Sequence, residues 1–358
     1  MRVRLGDYIK EYSVRNKAGE DIPVYSVTNT QGFCRDYFGK EVASKDKSTY
    51  KIVPKGYFAY NPSRINVGSV DWQRNEDRVI VSPLYNVFSV ANELNQQYLY
   101  YYLKSDITLH RIKSIATGSV RDNLKFDMLS EFKINLPNVN KQISIVNILD
   151  KIGMLIRKQQ TEIEKLDDLI KSRFVEIFGD PRSNPYGFSR KMLKDTCKVI
   201  TGNTPSRSVE EYYGDYVEWI KTDNIVSELL NPTKASEMLS EEGMKVGRAV
   251  GKDSILMACI AGSIASIGRV CVTDRTVAFN QQINAVVPED YNILFLYVLL
   301  QLSKEYLVEE INMALKGILS KSKLEEKEFM VPPMELQKEF ASFVDQVNKS
   351  KLLKRTKI

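Results

Sequence analysis

The sequence predicts an α+β fold: two similar mixed α/β domains separated by long helices that pair as an antiparallel coiled coil, the whole forming an internal repeat with pseudo-twofold symmetry. Three observations lead there. Residues 138–179 form one unbroken helical run with apolar residues at alternating spacings of three and four. The stretches on either side read as short β-rich pieces separated by Gly, Asn and Pro clusters. The order of globule, then helix, occurs twice along the chain.

The long run comes first. Leu149, Ile152, Ile156, Gln159, Ile163, Leu166, Ile170, Arg173 and Ile177 repeat every 3.5 residues on average, and the other faces are charged. That is the seam of a helix lying along another helix. At about 1.5 Å per residue such a rod is roughly 60 Å long. It stops at Gly179-Asp180-Pro181. Ordinary helices are about 10–14 residues long, so the run reads as a spacer or docking surface and not as the core helix of one globule.

Residues 1–137 form the first domain. Strands are expected near residues 22–28, 57–60 and 79–90, helices over 94–104 and 109–116, and a last strand at 132–136 ended by Pro137. Residues 138–180 are the central helix. Residues 181–333 repeat the pattern, with residues 192–200 paralleling the start of the chain, strands near 217–220, 255–260, 269–272 and 277–287, a helix over 293–315 and a strand at 329–331. Residues 334–358 form a second helix, with a seam of Leu336, Phe340, Phe343 and Val347, that stops well short of the length of the first. The repeat period is about 195 residues: residues 136–152 match residues 331–347, setting Gln142 beside Gln337 and Ile145 beside Phe340. Residues 78–90 match residues 276–288.

Composition narrows the function. The 358 residues are 43% hydrophobic and 27% charged, as in a soluble globular protein. No signal-like or membrane-spanning stretch is read, and four scattered cysteines without a CxxC fit a reducing cytoplasm and no zinc site. His110 is the single histidine, which limits metal sites and Ser-His or Cys-His catalysis to one residue. Residues 1–137 hold 20 Lys+Arg against 15 Asp+Glu, and residues 191–333 hold 16 against 20, so any nucleic-acid surface must be local. No P-loop and no G-x-G-x-x-G is present. Asn61-Pro62-Ser63-Arg64 and Asn231-Pro232-Thr233-Lys234 begin like an amino-methyltransferase signature but lack its second proline and aromatic, and read as turns. No catalytic site is read.

Residues 201–207 are TGNTPSR, then Glu211-Tyr212-Tyr213-Gly214, then Val217-Glu218-Trp219-Ile220-Lys221; residues 279–285 are FNQQINA. With the repeat and the Gln-bearing helix starts, these resemble the DNA-sequence specificity subunits of Type I restriction–modification systems. The first domain lacks the Gly-x-Thr-Pro-Ser opening, so the resemblance there rests on position and architecture. The resemblance implies two target-recognition domains without catalysis. Each would read half of a two-part asymmetric target in double-stranded DNA, with half-sites about one turn, roughly 34 Å, apart. The helices would set the spacing and dock two methyltransferase (modification) subunits; restriction (motor-nuclease) subunits would join them. S-adenosylmethionine, ATP and Mg belong to those partners, and this chain binds no cofactor or metal.

Base edges are read by Arg, Lys, Asn and Gln, and phosphates are held by other polar and basic groups. In the second domain the candidates are Thr204, Ser206, Arg207, Lys221, Thr222, Asn224, Gln281, Lys321 and Lys323. In the first they are Arg64, Asn66, Arg121, Asn123 and Lys125. Thr204-Pro205-Ser206 also reads simply as a turn. Gln281 and Gln282, read as neighbours on one strand, would point to opposite faces. Subunit docking is expected from Ile152, Ile156, Ile163, Leu166, Ile170, Phe340, Phe343 and Val347. The tyrosines of residues 98–102 read as core or contact residues. The competing readings are a coiled-coil scaffold that touches no DNA and a self-contained methyltransferase or nuclease.

Overall fold

A computed structural model describes residues 1–35, 47–116, 123–311 and 317–355. The chain divides into two compact units, Met1–Leu155 and Ile156–Ile358, and the division falls within the long helix Val139–Phe178.

In the first unit the N-terminal strand Arg2–Arg4 pairs antiparallel with Lys133–Asn135, the last strand before the long helix. A four-stranded sheet orders Ile9–Glu11, Asn86–Val90, Phe58–Tyr60 and Val70–Trp72. Lys51–Pro54 pairs with Arg78–Val81 beside it. The sheet buries Phe58, Tyr60 and Phe88 against Leu99 and Leu103 of helix Gln96–Lys104, and the Phe58 and Phe88 rings stack at 5.0 Å. The same helix carries Tyr98, Tyr100, Tyr101 and Tyr102. Tyr98 and Tyr102 donate to the carbonyls of Asn135 (2.8 Å) and Lys133 (3.2 Å), and Tyr101 donates to Asp150 on the long helix.

The second unit repeats this plan. Arg190–Met192 pairs with Glu328–Met330. The equivalent sheet orders Cys197–Thr201, Ile283–Pro288, Ile255–Ala258 and Val270–Val272. Tyr213–Ile220, Val277–Phe279 and Ala249–Val250 build a further sheet. The expected helix over 293–315 is divided at Ser303 into Ile293–Leu302 and Lys304–Val308, and its last part, from residue 312, lies outside the described residues. The strand expected over 277–287 is also two strands, Val277–Phe279 and Ile283–Pro288, with a turn between them.

The repeat extends to single hydrogen bonds. Gln142 is fully buried: its Oε1 accepts from the Asn95 amide at 2.8 Å, and its Nε2 donates to the Glu93 and Pro137 carbonyls, each 2.8 Å. Gln337 is 1% exposed, accepts from the Asn292 amide at 2.9 Å and donates to the Pro332 carbonyl at 2.8 Å. Asn95 and Asn292 each cap the helix that follows them.

The C-terminal helix Met334–Arg355 lies antiparallel to the second unit's part of the long helix. Phe340 meets Phe174 (5.4 Å) and Phe178 (5.6 Å), while farther along Lys351 pairs with Asp167 and Lys354 with Glu162. This corrects the docking set. Ile163, Ile170, Phe340 and Val347 are buried, and Leu166 and Phe343 pack against the same core, because the helix pair uses those faces for its own interior. Ile152 and Ile156 stand 48% and 44% exposed. A seam along the whole rod is therefore not what these helices form.

Replacing Gln337 by Met keeps its volume but leaves the Asn292 amide and the Pro332 carbonyl unpaired. The expected cost is about 1–3 kcal/mol, read as a lower urea midpoint for the second unit's transition, and Gln142→Met should do the same to the first.

Candidate nucleic-acid interface

The second unit's site begins where strand Cys197–Thr201 ends. A Cβ on Gly202 would lie 2.1 Å from the Asn280 carbonyl oxygen and 2.5 Å from that of Phe279, so only glycine admits this approach. The following residues are tied down in turn. The Asn203 carbonyl accepts from the Trp219 indole (3.2 Å), the Thr204 hydroxyl donates to Gln281 Oε1, and the Pro205 carbonyl accepts from the Tyr213 hydroxyl (2.7 Å). The Asn203 side chain donates to the Val246 carbonyl and accepts from the Arg248 amide. The TGNTPS…YYG…EWI run is thus one packed platform, and part of its signature is structural.

Two candidates meet on this platform. The Arg207 guanidinium lies 4.6 Å from the Tyr213 ring centre and 5.1 Å from that of Trp219, and the Lys221 ammonium lies 5.2 Å from the Trp219 ring. Both cations pair with Glu237, Arg207 at 2.7 Å. The Lys221 hydrogen bond, with the Arg207 ion pair behind it, holds the Glu237 carboxyl below the usual carboxylate range. Its stabilising contribution is therefore present above that range and is lost as pH falls through the depressed value. Thr204 and Ser206 are exposed at the rim, Ser206 paired with Ser208 at 2.8 Å. Guanidinium, ammonium, hydroxyl and amide groups in one exposed patch suit phosphates and base edges.

Other candidates are placed differently. Asn224 is 9% exposed; its Oδ1 accepts from the Lys221 amide (2.9 Å) and its Nδ2 donates to Thr233 Oγ1 (3.1 Å) and the Lys234 carbonyl (3.2 Å). Its amide is used within the fold, which corrects the expectation that it reads DNA. Thr222 is half-buried, and its carbonyl accepts from Arg269 at 3.1 Å. Gln281 and Gln282 sit in a turn and not on a strand, so the strand argument about opposite faces does not apply to them; Gln281 is exposed. Lys321 and Lys323 are exposed on the short helix Lys321–Glu325, with Lys321 3.4 Å from Glu325.

In the first unit Arg64 is exposed at the end of the Asn61 turn, where the Arg64 amide donates to the Asn61 carbonyl at 3.0 Å. Asn123 joins this turn: its Oδ1 accepts from the Ser63 hydroxyl at 2.5 Å, and the Leu124 amide donates to the Pro62 carbonyl at 3.1 Å. Arg64 lines a cleft of about 370 Å³ that also includes Asn29, Asn61 and Leu84. Asn66 is half-buried on the adjoining turn Ile65–Val67, and Lys125 is exposed at the start of helix Phe126–Ser130. Arg121 lies outside the described residues.

Glu237 was not foreseen, since it sits in a polar stretch with no motif. Tyr213 and Trp219 carried the motif, but their role as a support for cations needed the fold. Burial pushes the Cys197, Cys259 and Cys271 thiols up to about 12, so they are poor nucleophiles. Among the described residues no group of three or more His, Cys, Asp or Glu could hold a metal, and no helix is long and apolar enough to cross a membrane.

Gly202→Ala should cost about 1–3 kcal/mol by overpacking, measured by urea unfolding of the full chain. Gly251→Ala, whose Cβ would meet nothing within 4 Å, should leave the midpoint unchanged.

Comparison with known proteins places these features. The Type I restriction modification DNA specificity domain matches residues 5–166 and again residues 185–358. The Type I restriction enzyme HindI specificity subunit of Haemophilus influenzae is 25% identical over 329 residues, covering 70% of this chain and 70% of that protein. The MjaIX specificity subunit of Methanocaldococcus jannaschii is 26% identical over 369 residues, covering 94% of this chain and 81% of that protein. The fold is similar to a chain solved in work on complex assembly and conformational transition of the type I R-M system (TM-score 0.57, 17% identity, 99% of this chain and 92% of that one). It is similar also to the Type-I restriction-modification system S subunit from M. genitalium (TM-score 0.56, 14% identity, 100% and 91%). The two matched domains span nearly the whole chain, which therefore belongs to the Type I restriction–modification DNA specificity family and is a noncatalytic DNA sequence-specificity subunit.

Proposed function

We propose that each domain reads one half of a two-part asymmetric target in double-stranded DNA. The observation that carries this is the gathering of exposed Arg207 over Tyr213 and Trp219 and half-buried Lys221 over Trp219, both paired with Glu237, with Thr204 and Gln281 at the rim. In the first domain Arg64 and Asn123, brought together at the Asn61 turn, are the readers, and Asn66, Lys125, Ser206, Lys321 and Lys323 supply backbone contacts. Ile148, Ile152, Leu155 and Ile156, apolar residues that stay exposed on one side of the long helix, are the docking surface for two methyltransferase subunits. Those subunits, with restriction subunits, carry the S-adenosylmethionine, ATP and Mg chemistry in the cytoplasm. The long helix and its antiparallel partner act as the ruler between half-sites.

The decisive experiment is to co-express the chain with its genomically adjacent methyltransferase subunit and map methylated positions. A two-part motif with a fixed unspecified gap is expected; no methylation above the methyltransferase-only control, in a complex shown to assemble, would overturn the reading. Deleting one heptad from the long helix should change the gap or abolish recognition while leaving any recognised half-sites intact, and an unchanged target would sink the ruler.

Arg207→Ala and Lys221→Ala should each weaken duplex binding and reduce the slope of log affinity against log salt by about 1. A titration from low to physiological salt reads this directly.

A further inference from the structure

The two domains present the same turn with opposite chemistry. Strand pairs on both sides of it are in matching register. Val79 and Ile80 oppose Val53 and Ile52, as Val277 and Ala278 oppose Val250 and Ala249. Asn86 and Val87 oppose Tyr60 and Ala59, as Asn284 and Ala285 oppose Met257 and Leu256. The intervening turns close identically: the Tyr85 amide donates to the Ser82 carbonyl at 3.0 Å, and the Ile283 amide to the Asn280 carbonyl at 3.1 Å. In each the third residue's amide reaches back to the first residue's side chain, Leu84 to Ser82 Oγ (3.5 Å) and Gln282 to Asn280 Oδ1 (3.1 Å).

Pro83-Leu84 therefore stands where the second domain has Gln281-Gln282. In the second domain the turn offers the exposed Gln281 amide beside Thr204, while Gln282, the counterpart of Leu84, is half-buried with its Oε1 accepting from Asn280 Nδ2 at 3.3 Å. In the first, proline fixes the turn and Leu84 projects 78% exposed, lining the same cleft as Arg64 and Asn61. A leucine held this far into water contributes nothing to the core. Amides read base edges in the major groove, and the apolar feature that groove presents is the thymine 5-methyl group. Equivalent turns on equivalent domains address the same groove.

We propose that Leu84 is a specificity-determining residue that contacts a thymine methyl in the half-site of the first domain. This rests on the proposed reading of split targets. The test uses the assembled complex with its methyltransferase subunit and a duplex of the mapped target, each thymine replaced singly by uracil, which removes only the methyl group. With the unaltered chain, one uracil in one half-site should weaken binding about fourfold, the factor for one buried methyl group. Leu84→Ala, and Leu84→Gln with the residue found at this turn position in the second domain, should bind thymine and uracil duplexes equally at that position. Uracils in the other half-site should affect all three proteins alike. The proposal is overturned if all three discriminate target from scrambled duplex but respond identically to every uracil, or if the first domain's half-site has no A·T pair. Failure of the unaltered complex to discriminate target from scrambled duplex would instead remove the functional reading, and the proposal with it.

Discussion

A helix of 40 residues turns a small error at its root into a large displacement at its far end, so the angle at which it leaves its domain has to be fixed chemically. Gln142 fixes it. Its buried amide is bonded to the Asn95 amide and to the Glu93 and Pro137 carbonyls, so one side chain ties together the helix, the strand end before it and the cap of the domain's inner helix. An apolar side chain of that size would fill the space but permit rotation and sliding; hydrogen bonds in a dry site do not, because each broken partner loses its compensation for desolvation. Gln337 repeats the bonds to Asn292 and Pro332. The registry of both helices against their domains depends on these two amides.

The interface of the second domain holds its cations in a partly neutralised state. Glu237 occupies both Arg207 and Lys221, and aromatic faces support them from beneath. In the proposed reading a duplex must displace a carboxylate already in place. Phosphates alone gain little from that exchange, whereas a target that also engages Thr204, Gln281 and the guanidinium fork gains more. A domain with more acidic than basic residues can then bind DNA locally without attracting it everywhere.

Much of the architecture was legible because it depends on periodicity and repetition. The seam gave the long helix nearly to its ends, and the Gln142–Gln337 match located two positions that prove equivalent to the hydrogen bond. What sequence hid was partnership. The seam does not say which of its residues another helix will cover, so Ile163 and Ile170 looked as available as Ile152. Asn224 looked like a reader because its motif is polar, yet its amide closes a local turn. The run from Val277 to Val287 is apolar enough to read as one strand, and the turn at Gln281 shows only once the pairing registers are known. Glu237 joins two cations that lie on other elements of the same domain, a contact that no local pattern encodes.

In each domain the first strand and the last lie side by side, Arg2–Arg4 on Lys133–Asn135 and Arg190–Met192 on Glu328–Met330. The chain therefore begins and finishes a domain at one place, and everything between is a closed excursion from that seam. Recombination between two related genes at these borders would replace the whole excursion while leaving the root of the following helix where it was. In the proposed reading, an intact domain can then be exchanged in a single genetic event without moving the root of the helix that follows it.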